Sequence, residues 1–183
     1  AVSGAGLAPS QRKRAIVAAT VGNGLEFYDF ITFAFFALQI GQTFFPSHNS
    51  FLSLMGALAT FGAGFITRPL GAFILGRYAD RRGRKPAMLL SMLLMGLGIL
   101  MLALTPGYSS IGYAAPVIAV LARLIQGFAL GGEVGSATAY LIESADTHRR
   151  GATVSWQGGS QQIAATLGAL VGFLLSLKLS EAE

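Results

Sequence analysis

Gly76-Arg77-Tyr78-Ala79-Asp80-Arg81-Arg82-Gly83-Arg84-Lys85 is the stretch whose reading decides the fold. Six of these ten residues are charged, and they stand between two apolar blocks, 51–75 and 86–104. Each block approaches the ~20 residues that a helix needs to cross a bilayer. A short charged connection between two span-length blocks predicts two membrane helices joined on one side of the bilayer. Outward from it lie three more blocks, 15–40, 113–142 and 152–177. Between the blocks are polar or turn-forming stretches: 41–50 with Pro46, Ser47, His48 and Asn49, 105–112 with Pro106-Gly107, and 143–150. None of the blocks alternates apolar and polar residues, so the spans are expected as helices and not as barrel strands. The fold class is therefore all-α integral membrane, with five spans in a bundle over 15–178.

Composition agrees. Of 183 residues, 53% are apolar and 11% charged, less than half the roughly 25% charge of soluble domains. Disorder needs the opposite balance. The absence of cysteine excludes a disulfide scaffold and a thiolate metal site. No nucleophile–base arrangement and no metal-ligand cluster is present, so neither an enzyme, nor a cofactor, nor a metal is expected. His48 and His148 fall in or beside polar connections and read as surface residues.

The +5 net charge is explained by sidedness. Ten of the thirteen Lys and Arg (Arg12, Lys13, Arg14, Arg77, Arg81, Arg82, Arg84, Lys85, Arg149 and Arg150) fall on one side of the expected topology. The opposite connections, 41–50 and 105–112, hold none, and Lys178 alone lies beyond the fifth span. The positive-inside rule places the N-terminus and the basic connections in the cytoplasm. Residues 1–14 are then a cytoplasmic tail, disordered at its small and polar start, and 179–183 a tail on the outer side. The start imitates a signal peptide, but its apolar run is too long and holds two carboxylates. The basic cluster is better suited to lipid headgroups than to nucleic acid. Gly62 and Gly64, the run Gly127, Gly131 and Gly135, and the pair Gly168 and Gly172 are placed for close helix packing. Pro69 is placed to kink the second span.

Charges inside the apolar blocks carry the functional information, because ionisable groups at that depth are costly. Glu26 and Asp29 lie in the first block, Arg68 in the second, and Arg123 and Glu133 in the fourth. Two cations face three acids, and a carboxylate in excess is what a proton carrier requires. Static pairing that holds the bundle together is the alternative. Asn23, Glu26 and Asp29, three residues apart, share one helix face with Phe30 and Phe33. Arg123 and Glu133 are about 15 Å apart along their helix, so their partners lie elsewhere. In the fifth block Trp156, Gln157, Ser160, Gln161 and Gln162 form a polar group, and Gln157 and Gln161 are neighbours on one face. Those amides suit either a solute or the neighbouring helices.

The Gly76–Lys85 stretch closely resembles the signature of the major facilitator superfamily, G-x-x-x-D-R-x-G-R-K, at the position between spans two and three where that family has it. Arg123-Leu124-Ile125-Gln126-Gly127 resembles the superfamily's fourth-span R-x-x-Q-G. Gly22 to Phe30 together with Arg68-Pro69-Leu70-Gly71 is similar to the metabolite:proton symporter branch. Ser155-Trp156-Gln157, Ser160-Gln161-Gln162 and Pro106-Gly107-Tyr108 look most like its citrate and tricarballylate symporters.

The resemblance implies secondary active transport in a bacterial-type inner membrane. Two six-helix halves would rock about a central site, with a proton gradient driving uptake of a small organic acid. It implies a cytoplasmic gate at Gly76, Asp80, Arg81, Gly83, Arg84 and Lys85, with Gly83 permitting a tight turn. Solute binding is expected at Asn23, Arg68, Arg123, Gln157 and Gln161, and proton coupling at Asp29 and Glu26 ahead of Glu133. The partners are then the solute, protons, the lipid bilayer and the helices this chain lacks, since five spans fall short of one half. A non-enzymatic subunit that assembles with a separately encoded second half is the alternative, as is a different metabolite such as a betaine or an amino acid.

Overall fold

The computed structural model describes residues 9–145 and 147–180, and among them there are helices and turns but no strand. The helices are α1 (Pro9–Phe35), α2 (Ala37–Phe44), α3 (Ser50–Arg82), α4 (Arg84–Leu104), α5 (Tyr108–Ile111), α6 (Ala114–Ser144) and α7 (Arg150–Ser180). A 3-10 turn at Thr147–Arg149 precedes α7. Four helices are long and apolar enough to cross a bilayer: Ser50–Arg82, Arg84–Leu104, Ala114–Glu143 and Arg150–Leu177.

The first expected span, 15–40, runs over two consecutive helices. It is divided between α1 and α2 at Phe36, whose N–H still donates to the Thr32 carbonyl at 3.0 Å. Asn23, Glu26 and Asp29 interrupt the apolar run of α1. α1 begins at Pro9 and so carries Arg12, Lys13 and Arg14 of the expected tail. Residues 1–8 and 181–183 of the expected tails lie outside the described residues.

The basic connection is shorter than a loop. α3 runs through Arg82, α4 starts at Arg84, and Gly83 alone separates them. Gly83 has φ 99° and ψ 159°, a backbone region essentially restricted to glycine. Its N–H donates to the Ala79 carbonyl at 2.8 Å and closes the last turn of α3. Pro86 sits in the first turn of α4, where its missing N–H would have no helical partner in any case. At the other end of α3, the Asn49 side chain accepts from the Phe51 N–H at 2.9 Å and caps the helix. α3 continues without a break through Pro69.

The described residues divide into two compact units, 37–140 and a second made of 9–36 with 141–145 and 147–180. In the first unit α3 and α6 meet backbone to backbone. A Cβ on Gly127 would lie 1.8 Å from the Gly64 carbonyl oxygen, and one on Gly131 would lie 2.0 Å from that of Arg68. From the other side, a Cβ on Gly71 would lie 1.9 Å from the Phe128 carbonyl oxygen. Only glycine permits this approach, which places Cα–H groups against carbonyls. Thr67 Oγ1 ties the seam by donating to the Leu124 carbonyl at 2.8 Å. α2 packs on α3 in the same manner, with Gly41 against the Ser53 carbonyl.

In the second unit α1 lies along α7. Gly168 meets Ile31 and Gly172 meets Phe35. Gly62 and Gly135, also expected at contacts, have open space where a Cβ would stand. The spacing was right for a seam, but the helix rotation turns these two positions away from it.

Burial is inverted relative to a water-soluble protein. Ala57, Ala87, Ala115, Ala122, Ala129 and Ser91 are fully buried, while Ile66, Leu93 and Leu104 are more than 70% exposed. Hydrocarbon gives no reward for hiding leucine, so close backbone approach through small residues determines the packing.

A Gly127→Ala variant is expected to lose roughly 1–3 kcal/mol of stability by overpacking the seam. Gly62→Ala, on an open face, is expected to be neutral or slightly stabilising. Thermal unfolding of the purified variants in detergent checks the contrast.

Candidate functional site

In the first unit, one face of α3 carries a ladder of aromatic rings and cations beside the glycine seam. Phe61 and Phe65 are one helical turn apart and pack edge to face, with centroids 5.6 Å apart. The Arg68 guanidinium carbon lies 3.9 Å from the Phe65 ring centroid. From α6, that of Arg123 lies 5.9 Å from the Phe61 centroid. Both distances are within the range of cation–π attraction. The two intramembrane arginines are thus brought to opposite ends of one aromatic pair. Arg123 is only 5% exposed, and Arg68 is partly buried.

Gln126 was absent from the expected solute-binding residues and belongs in this cluster. It is 3% exposed, and its Oε1 accepts a hydrogen bond from Arg123 Nη1. A guanidinium only donates, so the amide oxygen must face it and Nε2 must point away. Nε2 is buried and has no hydrogen-bond partner among the described residues. A Cβ on Gly98 of α4 would lie 2.6 Å from Gln126 Cγ, so Gly98 makes room for this side chain. The signal for Gln126 was its three-residue spacing from Arg123. Glu133, farther along α6, is 3% exposed.

In the second unit, Asn23 joins α1 to α7. Its Nδ2 donates to the Gln157 carbonyl at 3.1 Å and to Ser160 Oγ at 3.0 Å, and its Oδ1 accepts from Gln161 Nε2 at 3.2 Å. The structure therefore brings together three of the residues expected to bind solute, Asn23, Gln157 and Gln161. Among them the Asn23 and Gln161 side chains bond each other, as the helix-packing alternative required. Gln157 is 8% exposed and supplies its backbone carbonyl. One turn beyond Asn23, Glu26 is buried at 7% exposure, while Asp29 is partly exposed.

At the α3–α4 turn, Asp80 Oδ1 and Arg84 Nη1 form an ion pair of 3.0 Å across Gly83. Asp80 is two-thirds exposed, so the pair contributes at most about 1 kcal/mol. Arg81 and Lys85 are exposed beside it, and Gly76 has open space where a Cβ would stand. No group of three or more His, Cys, Asp or Glu that could hold a metal ion occurs among the described residues.

Span-length apolar helices with cations buried inside them define a multi-pass helical membrane protein. The chain belongs to the sugar (and other) transporter family of the major facilitator superfamily, whose model matches residues 15–183. It is 47% identical over 165 residues to the citrate-proton symporter of Salmonella typhi, an alignment covering 90% of this chain and 38% of that protein. It is 44% identical over 143 residues to the alpha-ketoglutarate permease of Escherichia coli (strain K12), covering 78% of this chain and 33% of the permease. The proline/betaine transporter of the same strain is more distant, at 34% over 171 residues, covering 93% of this chain and 34% of that protein. The chain thus spans about a third of the length of these relatives. No solved structure matches it.

Asn23→Ala removes every hydrogen bond described for this side chain and leaves Gln161 Nε2 without its acceptor. It is expected to destabilise the α1–α7 unit by about 1–3 kcal/mol. Thermal unfolding in detergent, or faster amide exchange across α1 and α7, measures the loss.

Proposed function

We propose that this chain supplies first-half helices of a proton-coupled symporter that carries citrate or a related di- or tricarboxylate by alternating access. The observation that carries this reading is the pair of guanidinium groups, Arg68 and Arg123, gathered on one aromatic pair within apolar helices. Cations inside apolar helices mark a solute or ion pathway by default. The names of the citrate-proton symporter and the alpha-ketoglutarate permease supply the organic-acid class.

Arg68 and Arg123 attract the solute carboxylates, and Gln126 Nε2 adds a neutral donor beside Arg123. Gln157 and Gln161 of α7 are the amide candidates, and Asn23 and Gln161 also bond each other. Glu26, Asp29 and Glu133 are the coupling candidates. Glu26 and Asp29 rank first because they share the polar face of α1. Asp80 and Arg84, with Gly76, Arg81, Gly83 and Lys85, form the cytoplasmic gate, and Gly83 fixes the turn that presents them. The N-terminus faces the cytoplasm, on the side of the ten basic residues. The protein lies in a bacterial-type inner membrane and needs further helices to complete its pathway.

In the full-length transporter, Arg123→Ala is expected to lower proton-driven citrate uptake more than tenfold, because a buried charge contacting its ligand is worth about 2–5 kcal/mol. Uptake into cells or proteoliposomes at matched protein abundance measures this, and unchanged uptake would remove Arg123 from the site. Asp29→Asn and Glu26→Gln separate coupling from binding. A coupling carboxylate loses net uptake while exchange of labelled for unlabelled solute persists. Loss of both activities assigns that residue to binding or folding instead.

A further inference from the structure

The N-terminal part of α1 carries a groove that solute transport leaves unused. Lys13, Arg14, Val17, Ala18 and Val21 line an open hollow of about 530 Å³. They stand on one side of the helix, because Lys13, Val17 and Val21 follow at intervals of four residues, as do Arg14 and Ala18. We propose that this groove binds an anionic phospholipid, with its phosphate at Lys13 and Arg14 and the start of an acyl chain along Val17, Ala18 and Val21. The inference is independent of which solute is carried.

The lining residues are ordered as the parts of a lipid are. From Lys13 to Val21 the helix rises ~12 Å, so charge stands at one end of the groove and hydrocarbon at the other. The cations come immediately before the apolar block 15–40. Long basic side chains at such a boundary reach the headgroup layer while their stems stay along apolar surface. No acidic residue precedes Glu26 in the sequence, and among the described residues neither Lys13 nor Arg14 forms an ion pair. Val17 and Val21 are each about half exposed, and the short side chain of Ala18 leaves the hollow beside them. A soluble anion would meet the cations and leave the valines uncovered. An uncharged helix would cover the valines and leave the cations without counter-charge. An anionic phospholipid serves both ends at once. Each Lys or Arg near the membrane surface favours an anionic lipid by roughly fivefold, and two together by roughly thirtyfold.

The test uses the full-length transporter with the photoreactive residue benzoylphenylalanine in place of Val17, in nanodiscs made of equal parts phosphatidylglycerol and phosphatidylcholine. After irradiation, intact-protein mass spectrometry identifies what was captured. Phosphatidylglycerol is expected to be captured over phosphatidylcholine by roughly five- to thirtyfold. Lys13→Gln combined with Arg14→Gln is expected to return capture to equal shares. Equal capture of the two lipids by the protein with both cations intact overturns the inference, and this comparison stands even where the double variant fails to fold. A cross-link to the protein itself also overturns it, because a helix of the transporter then fills the groove. Excess inorganic phosphate, compared with chloride at matched ionic strength, is expected to leave the lipid preference unchanged. Loss of the preference in phosphate alone marks a site for soluble anions and overturns the lipid source. The probe placed at Val21 instead repeats the measurement from the apolar end, with the same outcomes.

Discussion

The close approach of α3 and α6 is the constraint on which the first unit depends. Carbonyl oxygens of Gly64 and Arg68 rest where side chains of Gly127 and Gly131 would otherwise stand, and Gly71 receives the Phe128 carbonyl in return. No larger residue fits at these positions, and Thr67 locks the register with a hydrogen bond to Leu124. In hydrocarbon there is no water-driven collapse to hold helices together, so dispersion and weak polar contacts between backbones must do it. That contact sets the rotation of both helices. It therefore also decides that Arg123 of α6 lies near Phe61, and that Phe61, Phe65 and Arg68 form a ladder immediately beside the seam.

The second unit uses a polar interaction for the same purpose. Asn23 is buried at 4% exposure, and three hydrogen bonds to α7 satisfy its amide. A buried amide left unbonded would be destabilising by a few kcal/mol, so this side chain specifies which face of α1 meets α7. Gly168 and Gly172 continue the contact toward Ile31 and Phe35. Glu26 lies one turn from Asn23, so its environment is set by an interaction it does not make itself.

These contacts show where packing has claimed a polar side chain. Asn23 and Gln161 were legible as polar residues inside apolar spans, and their chemistry suited a solute equally well. Their mutual hydrogen bond shows that packing claims at least part of their capacity. Gln126 shows the reverse. It was legible as a neighbour of Arg123, but its buried Nε2, directed away from the guanidinium, is visible only when the amide orientation is fixed by its partner.

The sequence alone determined that the chain forms helices long and apolar enough to cross a membrane, where the basic residues cluster along it, and which five ionisable groups stand inside its apolar blocks. These are one-dimensional properties, because solvation by lipid depends on the apolar content of a segment and little on its neighbours. It also marked Gly83 as a turn, since a one-residue reversal at φ 99° suits glycine. Only the tertiary structure decided that α1 breaks at Phe36, that Gly64, Gly71, Gly127 and Gly131 are contacts while Gly62 and Gly135 are open, and that two phenylalanine rings lie against the arginines. The physical reason is rotation about the helix axis. A helix apolar on all sides gives little signal of which side faces its partner, and backbone approach, a buried amide and a ring face supply that choice.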